Sequence, residues 1–253
     1  MKRTENNSLG RILRWAAVGL LLGCGLTGAG TCTVLADAPA TKEKSIDAPN
    51  GIQVTIKMIG PVTQTTDLQI ICILKHDPAG DQYIEAMKDL NAKLGGLLSS
   101  LRDRGDFVGE SGETLLLTPP ANSISPKRLL LIGIGQESKL TLDSLRLVGR
   151  IAAREAVRLN IAHVSFAPTL RDQGSSRIDV GEGGDAFIEQ FLLAYDTEKR
   201  LQAEGLSPKD DLKDVTIEAG PKFFDGVVQK ATTAIASAAI LIKERSTSPY
   251  HAP

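Results

Sequence analysis

The stretch "KRLLLIGIGQESKLT", from Lys127 to Thr141, decides how the rest of the chain is read. A charged edge leads into four consecutive apolar residues, then Gly133-Ile134-Gly135, a short polar turn, and a helix-type pattern from Leu142 onward. A run apolar on both faces belongs inside a sheet covered on both sides. Strand, Gly-x-Gly turn and helix in that order form the unit from which α/β folds are built.

Working outward, the same alternation continues. Ile52–Ile59 alternates apolar and polar residues, as a half-buried strand does, and Asp67–Leu74 is a more buried strand. Asp81–Arg104 has helical spacing, with Gly95-Gly96 as a soft point. Glu113–Pro120 is a strand stopped by two prolines. Thr141 caps a helix running to about Asn160, with Asp143 in its first turn. Ala162–Pro168 is a strand, and Leu170–Gly184 is a polar, Gly-rich loop. Asp185–Glu204 is a helix closed by Gly205. Leu212–Ala219 is a strand, and Phe223–Arg245 is a long Ala-rich helix. The pattern predicts an α/β domain with a largely parallel or mixed sheet.

The first 36 residues stand apart. Lys2, Arg3, Arg11 and Arg14 precede an uncharged, mostly apolar run from Ala16 to Val34, and Val34-Leu35-Ala36 offers small residues before Asp37. This reads as a secretory signal peptide. Two alternatives are an uncleaved membrane anchor through residues 16–34 and lipidation at Cys24, since Leu21-Leu22-Gly23-Cys24 resembles a lipobox. Asp37–Asn50, polar with two prolines, is expected to be a flexible linker, and residues 51–253 the folded domain. An exported location, periplasmic or extracellular, follows as an expectation.

The chain has 253 residues, 42% hydrophobic and 23% charged, which suits a globular protein. Residues 1–36 hold four of the 29 basic and one of the 30 acidic residues, so the remainder carries a formal charge of −4. An acidic balance disfavours non-specific nucleic-acid binding. Past residue 36 the one cysteine is Cys72, within the apolar "LQIICIL", so no internal disulfide is possible there.

Candidate chemistry is thin. A dinucleotide fingerprint needs a third glycine at position 138, which is Ser138, and an acid at the end of the next strand, which ends in Ala167-Pro168. Glu137 adds a charge that repels phosphate. Gly133 and Gly135 are therefore weak cofactor-binding candidates, read more simply as a tight turn. Arg146, Arg150, Arg154 and Arg158 recur every four residues and form one helix face, a possible interaction surface. His76, His163 and His251 lie in distant regions with no metal-ligand spacing, and Asp210, Asp211 and Asp214 read as a charged loop. "GESGE", Gly109–Glu113, lacks the Gly-x-Ser-x-Gly of a nucleophile elbow. No catalytic residue, metal ligand or cofactor is assigned.

Three stretches carry a resemblance: Leu94–Pro120, Lys127–Ala156 and Phe187–Ile217. In order and spacing they resemble the N-terminal domain of leucine aminopeptidases of the two-metal cytosolic type. The resemblance implies a three-layer, macro-domain-like mixed sheet flanked by helices, and a role in assembling a hexamer. It places the metals in a separate catalytic domain, in a Lys/Asp-Gly-Gly segment and an Asn-Thr-Asp-Ala-Glu-Gly-Arg motif. Neither occurs in these 253 residues. Ile240–Arg245 resembles the junction that leads toward that domain. The expected function is a non-catalytic, exported domain acting through protein contacts, as a homo-oligomer or with a separately encoded aminopeptidase subunit. One alternative is a small-ligand, ADP-ribose-like binding module using the Gly133 turn and the Gly181–Gly184 loop. Another is an accessory part of a metallo-aminopeptidase system. A nucleic-acid contact through the arginine row ranks last.

Overall fold

The computed structural model describes residues 41–245. Residues 1–36, expected above to be a signal peptide, with Cys24, and His251 lie outside the described residues.

Seven strands form one mixed sheet. They are β1 (Glu43–Asp47), β2 (Gln53–Lys57), β3 (Leu68–Leu74), β4 (Thr114–Leu117), β5 (Leu129–Gly135), β6 (His163–Ala167) and β7 (Asp214–Glu218). Their spatial order is β1-β2-β7-β6-β3-β5-β4. The five strands from β2 to β5 run parallel, and β1 and β4 pair antiparallel at the two edges. Among the described residues there are also five α-helices: α1 (Glu85–Lys93), α2 (Leu97–Asp103), α3 (Leu142–Arg158), α4 (Val180–Ala203) and α5 (Phe224–Glu244).

The two faces of the sheet differ. On one, α3, α4 and α5 pack over alternate strand residues: Val54 and Ile56, Ile70 and Cys72, Leu130 and Ile132, Val164 and Phe166, Val215 and Ile217. Phe166 stacks on Phe187 of α4 with ring centroids 3.9 Å apart. Gly149 lets α3 and α4 approach closely, because a Cβ there would lie 2.4 Å from the Phe187 carbonyl oxygen. On the other face, α1 and α2 cover the β3–β5 end through Met87, Leu90, Leu94 and Leu98 against Ile71, Ile73 and Leu131. The connection from β2 to β3 also crosses this face, where Val62 packs into the same cluster.

Under that connection lies a polar rung. Ser45, Thr55, Thr216, Ser165 and Gln69 are register partners across five adjacent strands. Ser165 and Gln69 are fully buried. The alternation that buries Val215 and Ile217 on one side necessarily places Thr216 and Glu218 on the other.

Three sequence expectations need correction. The linker predicted to reach Asn50 contains β1, and Ile46 of that strand and Ala48 just after it pack against the main core. The helix predicted from Asp81 begins at Glu85, because Asp81 is held by the guanidinium of Arg102 and by the amide of Asp77. It breaks at Gly95 and Gly96, both at positive φ, so one predicted helix becomes α1 and α2. The predicted loop Leu170–Gly184 ends early. Asp179 caps α4 by accepting hydrogen bonds from the amides of Gly181 and Glu182, so Gly181, Gly183 and Gly184 belong to the first turns of a helix.

A buried carboxylate closes the boundary of the domain. Asp196, 4% exposed, accepts hydrogen bonds from Arg200 Nε at 2.8 Å, Arg245 Nη1 at 2.7 Å and Asn50 Nδ2 at 3.3 Å. It thereby ties the last turn of α5 and the segment before β2 to the middle of α4.

Candidate functional site

In a parallel sheet the loops at the carboxyl ends of the strands build the sites. Here the ends of β5 and of β6–β7 differ sharply, and the first is the place the sequence singles out.

At the end of β5 the backbone is closed. The Gly133 amide donates to the Glu113 carbonyl at 2.7 Å, and the Gly135 amide donates to the Gly109 carbonyl at 3.0 Å. A Cβ at Gly133 would stand 2.1 Å from the Glu110 carbonyl oxygen. Gly135 sits at φ 79°. Both glycines are thus required by the segment 109–113 folded against them, and their amides are occupied by it. The "GESGE" segment is the other half of this contact, with the Glu113 carboxylate accepting from the amides of Gly109 and Glu110.

At the ends of β6 and β7 the chain opens into a cleft of about 520 Å³. Ile59, Pro61, Ile84, Val180 and Phe223 make its apolar walls. Glu218, 4% exposed, lines it. Its Oε1 accepts from the Ser165 hydroxyl at 2.7 Å, and its Oε2 has no partner. Burial pushes this carboxyl from 4.5 up to about 7, against the lowering effect of Ser165 and of the Gln69 amide beside it. Asp172 also lines the cleft, and burial, with Glu85 nearby, raises it from 3.8 to about 6. Glu85 opens α1 at φ 44°, a region that costs a residue with a Cβ of order 1–3 kcal/mol. Arg171 and Lys222 stand at the rim, the Arg171 guanidinium 5.2 Å from the Phe223 ring centroid.

A second depression, about 730 Å³, lies between the ends of β3 and β5 and includes His76, Asp81, Tyr83 and Gln136. His76 Nδ1 lies 3.0 Å from Asp81 Oδ2. Arg102, 2% exposed, donates through Nε and Nη2 to Asp81, and through Nη2 to the Leu74 carbonyl. Burial works against the charged form of Asp81, but the hydrogen bonds from Arg102 and His76 outweigh it and hold the carboxyl below its ordinary range. The Tyr83 hydroxyl and Arg102 Nη1 are buried without a partner.

The other sequence candidates are dispersed. Arg146 pairs with Asp143, Arg158 with Glu155, and Arg150 donates to Gln190 at 3.0 Å, which leaves Arg154 as the exposed member with no described partner. His163 Nδ1 is 2.6 Å from Asp214, at the opposite end of the strands from the cleft. Asp210 accepts from Tyr195 and Gln202. Cys72 is buried, and burial raises its thiol to about 11. Among the described residues no group of three or more His, Cys, Asp and Glu side chains is arranged to hold a metal, and no helix is long and apolar enough to cross a membrane. Glu218 and Asp172 escape the sequence reading. The signal for Glu218 is its place in "DVTIE", where Asp214, Thr216 and Glu218 alternate with Val215 and Ile217. Nothing local marks Asp172.

The comparisons with known proteins settle the lineage. The profile of the cytosol aminopeptidase family, N-terminal domain, matches residues 73–203, which is more than half of the chain. The chain belongs to this family. Its members include a probable cytosol aminopeptidase of Pseudomonas syringae pv. tomato, 34% identical over 95 residues, covering 38% of this chain and 18% of the relative. The chloroplastic leucine aminopeptidase of Solanum tuberosum is 29% identical over 189 residues, covering 72% and 31%. The chain thus spans less than a third of the length of either relative. Among solved structures, a tomato leucine aminopeptidase mutant superposes with TM-score 0.58 at 23% identity, covering 80% of this chain and 39% of that one. An Oceanobacillus iheyensis macrodomain with ADP superposes with TM-score 0.54 at 11% identity, covering 78% and 98%. At these identities the likeness is one of fold: a family N-terminal domain built on the macrodomain sheet.

Proposed function

We propose that residues 41–245 act as an assembly and recognition domain of leucyl aminopeptidase type, making protein contacts rather than hydrolysing peptides. The carrying observation is what the family match covers: the N-terminal-domain profile over residues 73–203, a part distinct from the one in which the family resemblance places the metals. Two-metal hydrolysis needs ligands that acidify a bound water and clamp the scissile carbonyl. Two large apolar side chains of α5 are exposed, Ile240 at 58% and Leu241 at 39%, and a contact with a partner domain or a second copy would bury them. The partner is a copy of this chain or an aminopeptidase subunit. Sedimentation velocity tests this reading. The purified chain sediments as an oligomer, or as a complex with an added family aminopeptidase, and Ile240→Glu with Leu241→Glu weakens either. A strictly monomeric chain that also ignores the aminopeptidase would overturn the reading, as would leucyl-amide hydrolysis that tracks with the chain through purification in Zn or Mn.

In the same reading residues 1–36 direct export, with cleavage before Asp37. Mass spectrometry of the protein recovered from an expressing cell would find Asp37 at the amino terminus. A mass carrying a lipid at Cys24 would replace cleavage with acylation.

A second reading, a small-ligand module of macrodomain type, is favoured by the 520 Å³ cleft at the ends of β6 and β7. It relocates the ligand from the Gly133 turn, whose amides are occupied, to the Glu218 cleft. Calorimetric titration with ADP-ribose tests it directly.

A further inference from the structure

We infer that the cleft at the ends of β6 and β7 takes a small organic ammonium ion carried on an apolar body. The inference rests on reading this cleft as a ligand site and names the class of ligand it would select. Glu218 supplies the first reason. Its side chain is almost wholly buried, and one carboxyl oxygen is held by Ser165; the other has no donor within hydrogen-bond geometry, the Gln69 amide lies beside it, and Gln69 Oε1 is also without a partner. A buried carboxylate oxygen left without a donor is costly, and a cation with several N–H groups is the partner that relieves it.

The second reason is the balance of charge. Glu85, Asp172 and Glu218 line the cleft, against Arg171 and Lys222 at its exposed rim. Among the described residues no ion pair reaches Glu218 or Asp172. The Arg171 guanidinium lies over the Phe223 ring, and its effect on Asp172 is smaller than those of burial and of Glu85. Lys57, the neighbour of Glu218 on β2, is paired with Glu43 at 3.2 Å. Glu218 is buried and Asp172 half-buried, whereas Glu85, Arg171 and Lys222 are exposed, so the charge inside the cleft is acidic, which suits a cation and opposes a diphosphate.

The walls give the third reason. Ile59, Pro61, Ile84, Val180 and Phe223 surround the carboxyls with apolar surface, and about 520 Å³ lies within the range of small-molecule sites. A hydrated inorganic cation would gain nothing from such walls, whereas the alkyl body of a primary amine would. The raised carboxyls fit this arrangement. A cation entering at neutral pH displaces the proton of Glu218, so its affinity rises as the pH moves from 5 to 8.

The test is calorimetric titration of the full chain with isoamylamine at pH 8, with isoamyl alcohol and ADP-ribose as parallel arms. Isoamylamine binds, the uncharged alcohol does not, and lowering the pH to 5 weakens the amine at least tenfold. Glu218→Gln, which retains an acceptor for Ser165, weakens the amine at least tenfold at pH 8, and Asp172→Asn, at a half-buried position, weakens it independently. Amine affinity unchanged in both variants, with thermal melts showing that they fold, overturns the inference. Binding of ADP-ribose without the amine overturns the ammonium while keeping the cleft as a ligand site. Silence from both ligands overturns the cleft reading as well.

Discussion

The ends of β5 and of β7 lie on the same side of one sheet and have opposite characters. At β5, Gly133 and Gly135 press backbone against backbone, and both of their amides have partners. At β7 the chain ends on a large acidic side chain, Glu218, and leaves space beside it. Glycine next to a strand end can therefore signal a sealed junction rather than an open cradle. The open junction here is marked by the acid that ends an alternating strand.

The largest expected effect breaks the sealed end. Gly133→Ala drives a methyl group into the Glu110 carbonyl, and neither backbone can yield without opening the sheet, so stability falls by about 4 kcal/mol. Denaturant unfolding of the variant measures it. A loss below about 1 kcal/mol would mean that segment 109–113 shifts easily and that the junction is not sealed.

The open end gives the next largest. Because the folded-state pKa of Glu218 is raised, the folded chain holds the proton more tightly than the unfolded chain does. The sign of linkage then makes stability full below the ordinary carboxylate pKa and progressively lower as pH rises through about 7. A shift from 4.5 to about 7 corresponds to about 3 kcal/mol between pH 4 and pH 8. In Glu218→Gln this contribution disappears, so the variant gains stability relative to the parent at pH 8 and not at pH 5. Paired urea melts at the two pH values read the difference.

A smaller effect tests whether all glycines are alike. Gly184 lies in the second turn of α4, and a Cβ there meets Val227 at an ordinary 3.8 Å. Gly184→Ala should therefore raise stability by up to about 1 kcal/mol, through helix propensity and a stiffer unfolded chain. Its sign is opposite to that of Gly133→Ala. The smallest effect belongs to the arginine row. Arg154→Glu replaces repulsion with favourable i,i+4 partners in Arg150 and Arg158, worth a few tenths of a kcal/mol and about 1 °C in Tm.

Much of this fold was legible because its strands announce themselves. "LQIICIL" and "LLLIGIG" are buried on both faces and read as such, and Thr141 with Asp143 marked the start of α3 to within a residue. Misreadings arose where long-range contacts overrode local pattern. "EKSID" looks like a tether, yet it becomes a strand because β2 offers it an unpaired edge. Gly181, Gly183 and Gly184 look like a loop, yet they become helix because Asp179 caps the first turn, with room for little beyond glycine at Gly181. The cleft was harder still. Asp172, Glu218 and Glu85 are far apart in sequence and meet only because the strand order places β6 and β7 between β2 and β3. No window of a dozen residues contains that information.

Asp196 carries one more implication. Asn50 near the start of the folded body and Arg245 at its close are hooked to the same side chain. A pull on the amino-terminal end meets the β1–β2 ladder before it reaches Asn50, whereas a pull at Arg245 bears directly on Asp196. The stretch from Asn50 to Arg245 is thus closed into a loop by one carboxylate, and losing that carboxylate would free both of its ends together.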